Sequence, residues 1–223
     1  MKLHLLYILT CFSIVATAEK TYSNQTIAEQ SHLNSKYYCE EFSISPPIHR
    51  NWRTAVLAEL NPLKHPKLFE TNIGNGAAAD LINYCPNYSR LDTEQKKIIL
   101  LRIIDAMVFF ESSCNISARA QGPNGIAYGI FQLHYGREDD YARRCQRFDS
   151  KNPGRSISCA LDMLHDQIEN SRRIFSNASY WDVLRPNGQS KKATRIVNHI
   201  WYYPLCQIPK MVKLKGEKSP LSI

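Results

Sequence analysis

After the first twenty residues, the most sustained apolar pattern in the chain is T-E-Q-K-K-I-I-L-L-R-I-I-D-A-M-V-F-F-E-S-S, residues 93–113. Ile98, Leu101, Ile104 and Val108 recur at helical period, and Asp92 with Gln95 three residues on has capping-box spacing, so the pattern predicts a helix beginning at Asp92. Glu111 falls next on the same stripe. A carboxyl on an apolar face loses hydration in its charged form, and a helix C-terminus adds negative potential; both raise its pKa. A carboxyl protonated near neutral pH can hand a proton to a leaving oxygen.

The remaining patterns are shorter. Asn51 precedes Trp52, Val56, Leu57 and Leu60, a short helix closed by Asn61-Pro62, and residues 77–84 offer a second. Pro46, Pro47, Pro62, Pro66 and the Gly74-Asn75-Gly76 turn punctuate this part, whose aromatics Tyr37, Tyr38, Phe42 and Trp52 read as core of an N-terminal helical layer. Asn152-Pro153-Gly154 opens a strongly amphipathic helix with Ile157, Leu161, Leu164, Ile168 and Phe175 on one stripe, a scaffold for the Glu111 helix. A last helix over residues 191–202 puts Ala193, Ile196, Val197, Ile200 and Trp201 on its apolar side, with Tyr203-Pro204 ending it and Cys206 anchoring it. No strand-like alternation lasts, so the expected fold is mainly α, with a small β or loop region near residues 122–133.

Residues 1–18 have the form of a secretory signal: Lys2 and His4, an apolar run over residues 5–14, and Ala16-Thr17-Ala18 before Glu19. That run is too short to span a bilayer, and Ile8-Leu9-Thr10-Cys11 is a poor lipid-attachment box, so the expected product is exported, periplasmic or extracellular, without a membrane anchor, and monomeric. Cleavage after Ala18 leaves Cys39, Cys85, Cys114, Cys145, Cys159 and Cys206, an even set that suits disulfides; six thiols allow fifteen pairings, and sequence leaves them open. A zinc site is the competing use of cysteine, but no C-x-x-C or H-x-x-x-H cluster is present, and no metal or other cofactor is expected. The formal charge of +8, or +7 without Lys2, implies attraction to polyanions; with no nucleic-acid motif, cell-wall polymer fits better than nucleic acid. The predicted divisions are signal 1–18, leader and helical extension 19–90, main domain 91–206 and a basic tail 207–223. Sequons at Asn24, Asn87, Asn115 and Asn177 are read as chance.

The loop after Glu111 adds chemistry to this outline. The stretch E-S-S-C-N-I-S-A-R-A-Q-G-P-N-G-I-A-Y-G-I-F-Q, residues 111–132, resembles the signature of the lytic transglycosylase and goose-type lysozyme superfamily, roughly E-S-x-x-N-P-x-A followed by G-A-x-G-L-M-Q. Glu111, Ser112, Asn115 and Ala118 match the first half; Ala127, Gly129 and Gln132 match the second. Ile116 replaces the usual proline, Ile130 and Phe131 replace Leu and Met, and the loop around residues 121–124 is longer. Two further pieces are collinear: Asn152-Pro153 with Ser156-Ile157, and Ala178-Ser179-Tyr180 at the place of A-x-Y-N-A-G-P, with Trp181 following. The resemblance covers residues 93–181, about half the mature chain.

It implies a lysozyme-like fold and cleavage of the β-1,4 bond between N-acetylmuramic acid and N-acetylglucosamine in peptidoglycan. Glu111 is then the general acid, with Gln132, Tyr180, Ser112, His134 and Tyr128 as glycan-binding candidates. A lysozyme uses water and a second carboxylate. The goose-type enzymes keep aspartates soon after the signature glutamate; here Asn124 and Tyr135 stand near those places, which tips the expectation towards the transglycosylase. Asp139, Asp140 and Asp149 remain as other sources of a carboxylate, and Glu138 to Asp140 are the candidates for greeting a deacetylated, cationic sugar. The alternative is a secreted glycan-binding protein of the same fold that has lost turnover.

Overall fold

The computed structural model describes Tyr37, Cys39, Ser43–Ile44 and residues 50–207 apart from 73 and 123. The expected signal sequence and leader to residue 36, Tyr38, Phe42 and the tail from residue 208 lie outside the described residues.

The fold is mainly α with a small antiparallel sheet. A two-residue pairing of β1 (Ser43–Ile44) with β2 (Arg50–Asn51) leads into α1 (Trp52–Glu59), followed by the short helices α2 (Pro66–Phe69) and α3 (Ala78–Leu81). The long central helix α4 (Thr93–Ser112) begins with a complete capping box: Gln95 N–H donates to Asp92 Oδ1 at 2.9 Å and Asp92 N–H to Gln95 Oε1 at 3.1 Å. It ends where Ser113 turns left-handed at φ 52°. Three short strands, β3 (Arg119–Gly122), β4 (Gly125–Tyr128) and β5 (Leu133–His134), form an antiparallel sheet that starts three residues before the expected region. The helices α5 (Pro153–Ser171) and α6 (Ala193–Trp201) follow.

Helix α4 is buried on nearly every side because α1, α2 and α6 all pack on it, while α5 packs on α1 and α2. The N-terminal layer is therefore part of the core. Trp52 is fully buried, donating Nε1–H to Asp105 Oδ1 at 2.8 Å, and Arg53 reaches Asp105 Oδ2 at 3.2 Å and the Cys39 carbonyl at 2.7 Å.

Three disulfides resolve the pairing that sequence left open: Cys39–Cys114, Cys85–Cys206 and Cys145–Cys159. The first ties the N-terminal layer to the loop three residues beyond Glu111; the second ties α3's end to the chain after α6.

Two pattern readings are corrected. Helix α5 closes at Ser171 with Arg172 left-handed, so Phe175 leaves the stripe; its N–H instead donates to Asp80 Oδ2 at 2.7 Å. Trp201, expected on an apolar face, is 39% exposed, because α6 ends at that residue.

Candidate active site

The last turn of α4, the sheet, the C-terminal half of α5 and the segment 178–185 enclose a cavity of about 800 Å³. Glu111 lines it together with Gln132, His134, Tyr141, Tyr180, Asp166, Asp182 and Arg185. Register explains the sheet's contribution. Ala120 pairs with Ala127 and Ala127 with His134, so these three share one face, and all three line the cavity. Small residues on that face leave room for a ligand.

Loop geometry after Glu111 is fixed by backbone needs. Gly129 has φ 76°, and a Cβ there would stand 2.4 Å from the Ser150 carbonyl oxygen, so the Gly of the signature permits a close crossing of two chain segments. Gln132 is itself left-handed at φ 51°, and its Nε2 donates to Gly129 O at 2.7 Å and Ala118 O at 3.2 Å, clasping both halves of the signature loop.

Glu111 is partly buried and, among the described residues, has no hydrogen-bond or ion-pair partner. Burial pushes its pKa up and the nearby Asp182 charge adds to the rise, with Arg185 opposing, to about 7. Tyr180 donates its hydroxyl to Gln132 O at 3.1 Å, and burial of the phenol holds its proton on. His134 contacts the Tyr141 hydroxyl through Nδ1 and lies edge-on to Tyr180 at 5.2 Å; burial, then the Arg137 charge, lowers its pKa and favours the neutral ring. Ser179 is fully buried with an Oγ that has no partner among the described residues, and it too lines the cavity.

Of the residues named from sequence, Glu111, Gln132, Tyr180 and His134 meet in this cavity. Ser112 and Tyr128 are placed elsewhere. Ser112 turns its hydroxyl back to Val108 O at 3.0 Å within its own helix. Tyr128 pairs across the sheet with Arg119 and Leu133, the face opposite Ala127, and its ring lies 5.9 Å from Tyr135. Trp181 is core: 2% exposed, with Nε1–H donated to Phe131 O at 2.8 Å.

The candidate second carboxylates also change. Glu138 is fully buried and accepts from Phe148 N at 2.9 Å, Ser150 N at 3.2 Å and Ser150 Oγ at 2.5 Å, so it organises a turn. Asp139 pairs with Arg147, Asp140 with Arg137 and Asp149 with Arg155, and none of these lines the cavity. Asp166 and Asp182 do, and the sequence reading missed both. Asp166 sits on α5, facing the cleft beside Gln167 and Asn170; Asp182 follows the Tyr180 segment where the family motif is not preserved. His165, Asp166 and Glu169 have ligand atoms within 4.8 Å of one another, with Glu169 exposed; of the three, Asp166 lines the cavity.

No family profile and no curated protein matches this chain. Among solved structures, three of DslA (Bd0314), a Bdellovibrio protein, are similar. The wild-type form and one glutamate-to-glutamine variant are 25% identical to this chain, and a second such variant is 24% identical. Each superposes with a TM-score of 0.58 over 70% of this chain and 91% of DslA. The shared fold thus spans nearly all of DslA.

Proposed function

We propose that this protein is an exported glycosidase of lysozyme-like fold that cleaves the β-1,4 bond between N-acetylmuramic acid and N-acetylglucosamine in peptidoglycan. The observation that carries the reading is Glu111, a carboxyl without a partner among the described residues that opens onto a cavity of about 800 Å³ with its pKa pushed up to about 7. A group in that state gives up a proton near neutral pH, which is the requirement for protonating a poor leaving group. The structural likeness to DslA, two of whose structures carry glutamate-to-glutamine substitutions, is consistent with a glutamate as the central group.

In this reading Glu111 donates its proton to the bridging oxygen as the C1–O bond breaks, and the bonding pair leaves with that oxygen. The cationic C1 is then captured by water or by the C6 hydroxyl of the same muramic residue. Either nucleophile returns one proton to the cleft carboxylate, giving a reducing end or a 1,6-anhydro end respectively. Gln132 and Tyr180 hold the glutamate loop and the 180 segment together through the Tyr180–Gln132 hydrogen bond, and neutral His134 offers a ring nitrogen to a sugar hydroxyl. The net positive charge favours approach to a wall bearing peptide carboxylates.

The test is mass spectrometry of fragments released from purified peptidoglycan, both acetylated and chemically deacetylated, by the oxidised protein beside Glu111→Gln. Anhydro-muropeptides identify the transglycosylase and reducing ends the lysozyme. Release by neither wall, with binding retained, would replace the enzyme by the glycan-binding alternative.

A further inference from the structure

We infer that Asp182 is the fixed anionic partner of Glu111: a second carboxylate of the cleft, held by the loop that follows it and acting on the same reacting bond. The pairing itself is a property of the protein; its use in catalysis rests on the glycosidase reading above.

Asp182 and Glu111 line one cavity from opposite parts of the chain, the segment before α6 and the last turn of α4. The Asp182 carboxylate is anchored at both oxygens: Gln189 N–H donates to Oδ1 at 3.1 Å and Ser190 N–H to Oδ2 at 2.7 Å. The loop closes tightly around it. A Cβ at Gly188 would stand 2.5 Å from the Asp182 carbonyl oxygen and 2.8 Å from Oδ1, so only a bare backbone lets residues 188–190 wrap the acid. Two backbone donors stabilise the charged form of a carboxylate. Burial works against this, yet the N–H and hydroxyl of Ser190, the N–H of Gln189 and Arg185 outweigh it and hold Asp182 below its ordinary pKa.

The two acids therefore differ in kind. Asp182 has donors and stays charged; Glu111 has none among the described residues and is driven the other way, by burial and by Asp182 itself. Two carboxyls whose surroundings separate their titrations suit an acid and a charge stabiliser. A fixed anion in the same cavity also lowers the cost of the positive charge that develops at C1. The other ionisable groups around Glu111 are few: Arg185, which opposes Asp182; His134, Tyr141 and Tyr180 from the sheet side and the 180 segment; and Asp166 from α5. From the α6 side Lys192 lies over the ring of Phe110, and towards α1 Arg53 is engaged with Asp105 six residues back along α4.

The experiment reads the Glu111 carboxyl directly, by carbon-13 NMR of glutamate-labelled protein, with the resonance assigned by its absence in Glu111→Gln. Asp182→Asn is expected to move the titration midpoint to lower pH by roughly half a unit or more, because a like charge has been removed. Asp182→Ser, which keeps an oxygen acceptor for the loop, serves if the asparagine variant does not fold, and Arg185→Gln is expected to move the midpoint the opposite way. A loosened loop alone would not give shifts of opposite sign. On peptidoglycan, the high-pH limb of Asp182→Asn should follow the midpoint downward, with the rate at pH 6 reduced by roughly 10²–10³, the size of effect that removing one positioned electrostatic group has. A midpoint unmoved in folded Asp182 variants overturns the pairing while leaving the glycosidase reading intact. An inactive wild type with midpoints that do move overturns the glycosidase reading and leaves the pairing.

Discussion

Helix α4 carries two buried or partly buried carboxyls six residues apart, and they have opposite fates. Asp105 points into the core, where Trp52 and Arg53 engage both its oxygens; Glu111, about 120° away around the helix, opens onto the cavity without a partner among the described residues. Burial raises both, to about 6 for Asp105 despite Arg53, and to about 7 for Glu111 with Asp182 adding to the rise. The same desolvation is used differently. At Asp105 the cost is partly offset by charge-assisted hydrogen bonds that lock the N-terminal layer to the central helix. At Glu111 it is left uncompensated, which leaves a proton available for transfer.

The contrast can be broken first at Asp105. Asp105→Asn leaves the Arg53 guanidinium facing a neutral amide in the core, and chemical denaturation should show a loss of about 3–5 kcal/mol, with the folded fraction still active. Removing the Cys39–Cys114 bridge by a double serine substitution should cost about 4 kcal/mol by loop-closure entropy across its 75-residue separation. Activity should then fall more than melting alone explains, since the bridge anchors the loop directly after Glu111; unchanged specific activity would separate the layer from the site.

The folded pKa of Glu111 lies above its ordinary 4.5, so between those values the folded protein keeps a proton that the unfolded chain has released. Stability should therefore fall as pH rises from 4.5 to about 7, by about 3 kcal/mol from this group. Asp105 adds a decline between 3.8 and about 6. Melting curves of Glu111→Gln across that range should be flatter than wild type and higher at pH 8, with the Asp105 part of the slope still present.

Much of this was legible in local pattern. The capping box at Asp92 and the long apolar stripe specify α4 through contacts within a few residues, and Glu111 stood out because it follows that stripe into a recognisable loop. Gln132, His134 and Tyr180 were legible by collinearity, and the cavity gathers them. Ser112 was misplaced because its short hydroxyl back-bonds to Val108, and Tyr128 because strand alternation turns it away from Ala127 once the register is set. Asp105 gave no signal: its partners lie more than fifty residues away. Asp182 was equally silent, since its role depends on a turn from residues 188–190 and on the approach of a helix seventy residues earlier in the chain. Asp139 and Asp140 drew notice by their run of charge, yet exposed arginines take them up.

If Glu111 is the proposed acid, it serves chemistry at the expense of stability, and one paired measurement on Glu111→Gln tests this: release of soluble peptidoglycan fragments and thermal melting at pH 7 on the same preparation. The expected result is a rate lower by roughly 10²–10⁴, together with a melting temperature equal to or above that of wild type. A variant that keeps its rate, or that loses it only in step with unfolding, would contradict the assignment.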